Sequence, residues 1–260
     1  MSNVFIAVAT RDNSWKPNFD EYHLIEVGAA LNANHIASQF KDNTFDNISL
    51  KNHNYCELTG LYWAWKNTDS KILGLCHYRR YFQNRSSFSI NGRKRSILDP
   101  KQIESLLKDY DIILAKPRKY YIETVYSHYS HAHQEKDLIT TRKILEKYYP
   151  EYVDAWDSVM TSRGFSLFNM LIANRCTVDK YCTFLFGVLS CVEKQLDISS
   201  YNKSDARVFG YLGEFLLNVW VKKNKMKVYY APVQMLNRQN WIKKIGSFLI
   251  RKCSATFKAS

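Results

Sequence analysis

Residues 52–82, NHNYCELTGLYWAWKNTDSKILGLCHYRRYF, constrain the fold more than any other part of the chain. Asn54 and, three residues later, Glu57 have the spacing of a helix capping box. The apolar residues that follow recur at helical intervals and are expected to face the core. These residues are Leu58, Leu61, Tyr62 and Trp65. The pattern predicts an amphipathic helix that begins at Asn54.

A short apolar run, Lys71–Cys76, follows this helix and has the length of a β-strand. The next residues are His77, Tyr78, Arg79 and Arg80. Ligands of open α/β sheets bind beyond the carboxyl ends of the strands, which is where this HYRR turn is expected. Guanidinium groups pair with phosphate or carboxylate through two parallel hydrogen bonds. The sequence therefore predicts an anion site at this turn.

Strands and helices alternate along the rest of the chain, which predicts an α/β fold with a mostly helical C-terminal part. The predicted strands are Val4–Thr10, Ile112–Ala115, Phe165–Ala173 and Lys227–Ala231. The predicted helices are Pro100–Lys108, Glu135–Tyr148, Glu151–Met160, Val178–Leu196 and Ser204–Lys222. Neither an internal repeat nor a flexible linker interrupts this order. One domain over residues 1–240 is therefore expected.

The composition indicates an anionic partner. The net charge is +13, and the aromatic content of 15% is typical of proteins that bind sugars or planar rings, although such rings also fill cores. No nucleic-acid-binding motif is present, so nucleic acid is not expected as a partner. Six cysteines without a CxxC pair, and a start without a signal peptide, predict a cytoplasmic protein with reduced thiols.

Residues 241–260, WIKKIGSFLIRKCSATFKAS, form a basic amphipathic tail. Trp241, Ile245 and Phe248 share one helical face, and lysines and arginines surround it. This pattern suits a helix that lies on the inner face of the plasma membrane, in contact with anionic lipids. A helix that packs on the domain with a solvated edge would show the same pattern.

Several segments together resemble one family, the bacterial capsular and exopolysaccharide glycosyltransferases formerly catalogued as a domain of unknown function. The segments, in order, are Asp46–Ser49, CELTGLYWAWKN, GLCHYRRYF, YIETVYSHYSHAHQ at 121–134, RVFGYLGEFLLNVW at 207–220 and QNW at 239–241. The resemblance implies a GT-A-like sheet flanked by helices. It also implies transfer of a sugar from a nucleotide sugar to a lipid-linked glycan, in capsule, O-antigen or exopolysaccharide synthesis. A UDP-sugar is the expected donor, and UDP-galactofuranose is one candidate because relatives are thought to transfer galactofuranose.

Most GT-A enzymes hold the donor diphosphate through Mg²⁺ or Mn²⁺ bound to an Asp-x-Asp motif at a strand's carboxyl end. The only such triplet here, Asp109–Asp111, precedes its strand and so lies at the wrong end. The HYRR turn stands where the acidic motif is expected. We therefore expect Arg79 and Arg80, with His77, to neutralise the phosphate charge directly, and no metal-binding residues are assigned. Dependence on a divalent cation stays open.

Glu214 is the expected acceptor base, because a carboxylate commonly fills this role and partial burial would raise its pKa toward neutrality. Asp205 is the substitute candidate. Arg207 lies two helical turns before Glu214 on the same face and is expected to contact the donor. The alternative is a buried ion pair of Glu214 with Arg207 or with a lysine that serves only stability.

The remaining candidates fall into two groups. Donor contacts are expected from Thr10, Asp46, Asn47, Glu57 and Asn169. Acceptor contacts are expected from Tyr126, His128 and His131. The histidines lack a common zinc spacing, although a metal or a purely structural role stays open for them. For Glu57, the alternative to a donor contact is the role of a helix cap.

Two other functions compete with glycosyl transfer. A phosphoester hydrolase could use the same arginine turn, but the sequence offers no nucleophile or metal cluster for it. A non-catalytic basic module could bind nucleic acid or a polyanionic glycan. Binding of UDP favours the transferase, and binding of oligonucleotides without UDP favours the basic module.

Overall fold

The computed structural model describes residues 3–84 and 97–236. Eleven strands occur in this part of the chain. They are β1 (Val4–Thr10), β2 (Tyr22–Glu26), β3 (Phe40–Lys41), β4 (Ile72–His77), β5 (Arg80–Phe82), β6 (Ile112–Ala115), β7 (Arg118–Lys119), β8 (Gly164–Phe165), β9 (Leu171–Asn174), β10 (Val228–Ala231) and β11 (Val233–Met235). Eight α-helices accompany them. They are α1 (Asn52–Tyr55), α2 (Leu58–Asn67), α3 (Pro100–Asp109), α4 (Val125–Ser130), α5 (Glu135–Tyr148), α6 (Val153–Thr161), α7 (Arg175–Glu193) and α8 (Val208–Lys223).

Nine of these strands form a central mixed sheet. Its main order is β10-β6-β9-β4-β1-β2-β3, and β9 runs antiparallel to both of its neighbours while the others run parallel. The antiparallel pair β5 and β11 extends the sheet beyond the end of β4. Strands β7 and β8 form a separate two-stranded ribbon. The sheet places the carboxyl ends of β1, β2, β4 and β6 along one edge.

Both faces of the sheet are covered, as the burial of all seven residues of β1 shows. Alternate side chains of a strand point to opposite faces. Val4, Ile6 and Val8 pack in a core with Ile103 and Leu107 of α3. The intervening β1 residues, Phe5, Ala7 and Ala9, join a larger core with residues of α2 and α5–α8. This is the α/β class that the sequence predicts, with a central sheet flanked by helices.

The helix predicted from Asn54 onward is broken in two, so the predicted capping box is wrong. Cys56 has a positive φ of 53° and ends α1, and α2 begins at Leu58. The side chain of Asn54 donates to the carbonyl of Ala206 at 2.6 Å, which ties α1 to the start of α8. Glu57 makes no side-chain capping bond to α2. Its carboxylate is thereby available to the site described below.

The strand predicted over Phe165–Ala173 is also interrupted. Residues after β8 turn through Phe168 and Asn169, whose φ values are 80° and 53°, before β9 begins at Leu171. Asparagine tolerates this left-handed region, but phenylalanine rarely adopts it without support from the surrounding structure. Asn169 therefore lies in a turn and not within a strand. Strand β2, which the sequence analysis did not predict, pairs with β1.

Three features of the sequence lie outside the described residues: the tail at 241–260, the QNW motif and the basic residues Arg93–Arg95. Within residues 3–84 and 97–236, no helix combines the length and the apolar character needed to cross a bilayer.

Candidate active site at the carboxyl ends of the central strands

A cleft of about 570 Å³ opens where β1 and β4 end. The two strands are parallel neighbours, with Ala9 opposite His77, and the backbone N–H of Tyr78 donates to the carbonyl of Ala9 at 3.1 Å. The cleft is lined by Ala9, Arg11, Val27, Asn52, His53, Cys56, Glu57, His77, Tyr78, Arg80, Lys203, Ala206 and Arg207. Four of the lining side chains carry a permanent positive charge and one is a carboxylate, so the cleft is suited to an anion.

His77 joins the end of β4 to the turn before β9. Its Nε2 lies 2.7 Å from the carbonyl of Phe168, so Nε2 carries the hydrogen and donates. Its Nδ1 is then an acceptor, and Arg80 Nη1 lies 3.2 Å from it. Burial lowers the pKa of His77, so the ring is neutral at neutral pH. The charge that faces the cleft here comes from Arg80, not from the imidazole.

The two arginines of the HYRR turn occupy different environments. The Arg80 guanidinium lies over the Phe168 ring, 4.4 Å from its centroid, and its buried Nε has no hydrogen-bond partner. Arg79 is exposed and lies outside the lining of the cleft. Its Nη2 is 3.6 Å from Asp12 Oδ2, and its guanidinium lies 4.5 Å from the centroid of the Tyr78 ring. The structure therefore places only one of the two in the cleft.

Gly213 allows α8 to approach the turn at Asn169. The Asn169 Nδ2 group donates to the Gly210 carbonyl at 2.9 Å and to Glu57 Oε1 at 2.7 Å. A Cβ atom at Gly213 would lie 2.8 Å from Asn169 Oδ1, which is too close for any side chain. The spacing Gly-x-x-Gly-Glu thus brings Glu214 against this turn. The predicted donor residues Glu57 and Asn169 are bonded to each other here.

Glu214 is half-buried on the first turns of α8, and its pKa is raised to about 8. Burial is the largest cause, and the nearby Glu57 carboxylate raises the pKa further. A hydrogen bond with the Phe168 backbone and the charges of Arg80 and Arg207 act in the opposite direction. A carboxyl group with such a pKa exchanges its proton near neutral pH, as a general base or acid must.

A second pocket, of about 200 Å³, is lined by Phe168 and Glu214, neither of which lines the cleft. Its walls are largely aromatic and histidine side chains. The remaining lining residues are Tyr120, Val125, His128, Tyr129, Ala132, His133, Phe165, Leu167, Tyr211 and Phe215. Glu214 therefore lines the aromatic pocket and interacts electrostatically with Glu57, Arg80 and Arg207 of the basic cleft.

Arg207 lies in the cleft, but not as a partner of Glu214. Its Nε donates to Cys56 Sγ at 3.2 Å, and its guanidinium lies 5.6 Å from the centroid of the Tyr211 ring. The ion pairs among the described residues do not include one between Arg207 and Glu214. The purely structural Glu214–Arg207 bridge considered as the alternative is therefore not formed.

Asp205, the substitute base, lines neither the cleft nor the aromatic pocket. Its buried carboxylate accepts hydrogen bonds from His133 Nδ1 at 2.8 Å, Gln134 Nε2 at 3.0 Å and Asn202 Nδ2 at 2.9 Å. Burial by itself would raise the pKa of Asp205, but these bonds hold it below its usual value. Asp205 thus connects the segment between α4 and α5 to the residues just before α8, which is a structural role.

The three predicted acceptor residues separate in the structure. His128 lines the aromatic pocket and stacks on Tyr120 with 4.0 Å between ring centroids. His131 lies outside the lining of the pocket, with its Nδ1 2.9 Å from Glu123 Oε1. The Tyr126 hydroxyl donates to Glu135 at 2.7 Å and also lies outside that lining.

Five predicted donor residues do not line the cleft: Arg79 and Asn169, described above, and Thr10, Asp46 and Asn47. Thr10 Oγ1 donates to the Asp12 carbonyl at 2.8 Å and so shapes the loop that presents Arg11. Asp46 accepts from the Tyr62 hydroxyl at 3.1 Å, beside α2. Asn47 Nδ2 donates to the Phe45 carbonyl at 2.8 Å. The structure does not bring Asp46 and Asn47 to the cleft.

Three basic residues that the sequence did not predict also line the cleft, namely Arg11, His53 and Lys203. Arg11 follows directly after β1, so the rule that identified the HYRR turn also applies to it. His53 and Lys203 carry no such signal, because they reach the cleft only through the break at Cys56 and the packing of α1 against the start of α8.

The residues at this edge of the sheet do not fit a divalent cation. Asp111 precedes β6 and accepts from the backbone N–H of Lys227 at 2.7 Å, at the opposite end of the strands. Within the described part of the chain, no group of three or more His, Cys, Asp or Glu side chains could hold a metal ion. Glu57 is the one carboxylate in the lining of the cleft, and basic groups surround it.

Comparison with known proteins identifies the family. A family model described as a domain of unknown function, DUF4422, matches residues 5–225. The chain belongs to the DUF4422 family. No curated protein matches it.

The fold is similar to that of a solved glycosyltransferase. The apo structure of the bifunctional glycosyltransferase WbbM superposes with a TM-score of 0.80 at 27% sequence identity. The match covers 90% of the present chain and 45% of the WbbM chain, so the present chain spans less than half the length of that protein. The predicted GT-A-like architecture and the relation to glycosyltransferases agree with this match.

Proposed function

We propose that this DUF4422 protein is a glycosyltransferase that moves a sugar from a nucleotide sugar, a UDP-sugar in the first instance, to a hydroxyl of a glycan acceptor. One observation carries the proposal. Glu214, a carboxyl group whose pKa is raised to about 8, lines the aromatic pocket and interacts with the charged residues of the basic cleft, at the edge of the sheet where ligands of such folds bind. The likeness to WbbM supports the same reaction class.

The basic cleft supplies the site for the donor. Transfer leaves a nucleoside diphosphate, on which negative charge develops as the bond from the sugar to the phosphate oxygen breaks. Arg80, Arg207, Arg11 and Lys203 line the cleft and would stabilise that charge. Arg80 is the central one, because its contacts with His77 and Phe168 hold the guanidinium in place before the donor arrives.

The aromatic pocket supplies the site for the acceptor. Aromatic rings such as Tyr211 and Phe215 offer apolar faces to the C–H groups of a sugar ring. Glu214, in its ionised form, would take the proton from the acceptor hydroxyl as the oxygen attacks the anomeric carbon of the donor sugar. A pKa near the operating pH suits this task, since the group must be ionised before the reaction and basic enough to accept the proton.

Neutral His77 and Asn169 would act as positioning residues. His77 holds the Phe168 carbonyl and Arg80 together, and Asn169 holds Glu57 to α8. Both bonds fix the turn whose backbone contacts Glu214. Loss of either would move the base relative to the cleft.

We infer that the cationic side chains of the cleft take the part that a bound divalent cation plays in most GT-A enzymes. The excess of basic over acidic groups in the lining supports this inference. The proposed biological setting is assembly of capsule, O-antigen or exopolysaccharide on a lipid-linked acceptor. UDP-galactofuranose is the first donor to test, and the basic tail at 241–260 is proposed to contact the inner membrane surface.

A screen of nucleotide sugars tests the proposal. A ligand that binds the native state raises its melting temperature, so a matching UDP-sugar should stabilise the protein in thermal unfolding with or without Mg²⁺ or Mn²⁺. Donors that stabilise should then be turned over in the presence of a glycan acceptor. Stabilisation by oligonucleotides, with none from any nucleotide sugar, would support the non-catalytic basic module instead.

A further inference from the structure

Next to the aromatic pocket lies a surface element whose chemistry differs from that of the active site. It consists of residues 116–122, sequence KPRKYYI, together with Arg163 on the adjoining β8 segment; we call it the basic ribbon. Strand β7 within it pairs antiparallel with β8, with Arg118 opposite Phe165. Phe165 also lines the aromatic pocket, so the ribbon forms part of the pocket's surroundings.

Two large apolar side chains stand exposed at the end of this ribbon. Tyr121 is 77% exposed and Ile122 is 72% exposed. Tyr121 has a positive φ of 57°, an unfavourable conformation for an aromatic residue. The backbone there is held by the N–H of Tyr120, which donates to the Arg163 carbonyl at 2.8 Å, and by that of Ile122, which donates to the Tyr120 carbonyl at 2.6 Å. The fold therefore presents these two side chains to solvent on a fixed turn.

Four cationic side chains accompany the apolar pair: Lys116, Arg118, Lys119 and Arg163, all of them exposed. The Arg163 guanidinium donates to the Tyr121 carbonyl at 3.3 Å, which places positive charge directly beside the apolar turn. The acidic residue that follows, Glu123, is buried and bonded to His128 and His131. The surface of the ribbon thus combines exposed apolar area with four cationic side chains, and the sequence of residues 116–122 contains no acidic residue.

We propose that the basic ribbon docks the protein on an anionic bilayer, with Tyr121 and Ile122 entering the interface and the four cations contacting lipid phosphates. Interfacial binding of this kind grows with the apolar area that enters the membrane and with attraction to anionic lipids. An exposed isoleucine next to tyrosine favours a lipid surface over nucleic acid, whose partners need hydrogen-bonding and stacking groups instead. This surface is separate from the tail at 241–260.

Docking through the ribbon would hold the aromatic pocket, and with it Glu214, close to the membrane surface. A lipid-linked glycan could then reach the pocket without leaving the bilayer. This second step depends on the proposed function, whereas membrane docking itself does not.

Vesicle sedimentation of the full chain tests the docking. We expect it to pellet with vesicles of phosphatidylcholine and phosphatidylglycerol but not with phosphatidylcholine alone. Lys116→Gln with Lys119→Gln should weaken this binding about 25-fold, since each lysine near an anionic surface contributes about fivefold. Tyr121→Ser with Ile122→Ser should weaken it by about tenfold or more.

Matched controls come from other exposed residues of the chain. Lys101→Gln with Lys108→Gln removes the same charge from α3, and Phe45→Ser removes an apolar side chain that is 85% exposed. Both controls should bind vesicles as the unaltered protein does. Equal losses in the ribbon and control variants would show a general effect of charge and apolar area, and would overturn the proposal.

Amide hydrogen exchange separates the ribbon from the tail. Anionic vesicles should slow exchange in a peptide spanning residues 116–123. Vesicle binding without such protection, or binding of oligonucleotides by the ribbon in place of vesicles, would overturn the proposal. Failure of the proposed function gives a different pattern: no nucleotide sugar is turned over on a water-soluble acceptor, while ribbon-dependent sedimentation persists.

Discussion

The two carboxylates expected to compete for the role of base, Glu214 and Asp205, differ in how well their charges are satisfied. Asp205 accepts hydrogen bonds from three side chains, which keep its pKa below the usual value. Glu214 faces a second carboxylate, Glu57, and burial with that repulsion raises its pKa to about 8. A satisfied buried charge stabilises a fold, whereas an unsatisfied one is retained at a cost in stability that function can explain.

The same contrast separates the two arginines of the HYRR turn. Arg79 pairs with Asp12 at the surface, while Arg80 keeps a buried Nε without a partner and directs its guanidinium toward the cleft. In both comparisons, the residue whose charge is less well satisfied by its neighbours is the one that lines the candidate site: Glu214 in the aromatic pocket and Arg80 in the cleft. Substitution of each residue tests these differences.

The largest expected effect is on turnover. Glu214→Gln keeps the size of the side chain but removes its ability to accept a proton, so kcat should fall by about 10²–10⁴-fold. Affinity for the donor nucleotide should stay within a few fold, because the cations of the cleft are unchanged. Asp205→Asn is the matched control and should retain most of the activity. Equal losses of kcat in both variants would remove the distinction between the two carboxylates.

The next effect is on stability, and here substitution of Asp205 is expected to have the larger effect, in contrast to turnover. Asp205→Ala leaves three donors without their acceptor and should reduce the free energy of unfolding by about 1–3 kcal/mol. Glu214→Gln should leave the free energy of unfolding unchanged or raise it at neutral pH, since it removes a carboxyl group whose ionised form is unfavourable in the folded protein. Urea unfolding of the three proteins at pH 7 gives both values. A Glu214→Gln variant that is the less stable of the two would contradict this account.

A further effect is on the pH dependence of stability. The pKa of Glu214 is raised from 4.5 in the unfolded chain to about 8, so the folded state binds an extra proton between these values. Its contribution is therefore present below about pH 4.5 and is lost as pH rises toward 8, by at most ~1.4 kcal/mol per pH unit. Glu214→Gln should flatten this slope in urea unfolding between pH 5 and pH 8.

Asp205 should show the opposite dependence. Its pKa is lowered in the folded protein, so its contribution is present above the ordinary value of 3.8 and is lost as pH falls through the folded value. Asp205→Asn should therefore approach the stability of the unaltered protein in acid. An advantage for the unaltered protein that grows in acid would show that Asp205 is not held as a carboxylate.

The sequence predicted those parts of the molecule that depend on local patterns. Strand β1 and helix α5 have their predicted bounds, because apolar periodicity and turn signals define them. The location of the HYRR turn followed from the rule that ligands bind beyond strand ends. The prediction failed where tertiary contacts override local preference, as at Cys56 and at Phe168, which both have positive φ in segments with helix or strand patterns.

The site was predictable in part for the same reason. Glu214 was recognisable as a carboxylate on a helix, but the close approach of that helix to Asn169 depends on the missing side chain of Gly213. Arg79 and Arg80 are adjacent and chemically identical in the sequence. Only the pairing of Arg80 Nη1 with a neutral His77 separates them, and this depends on the carbonyl of Phe168, far away in the chain.

Titration calorimetry with UDP measures whether the cleft binds a nucleoside diphosphate through Arg80. Three proteins suffice: the unaltered chain, Arg80→Ala and, as the matched control, Arg79→Ala. We expect Arg80→Ala to weaken UDP binding by about 10–100-fold, because it removes a charge-assisted contact. Arg79→Ala should change the affinity for UDP by no more than a few fold. Equal affinities for UDP in the unaltered protein and Arg80→Ala would contradict the account.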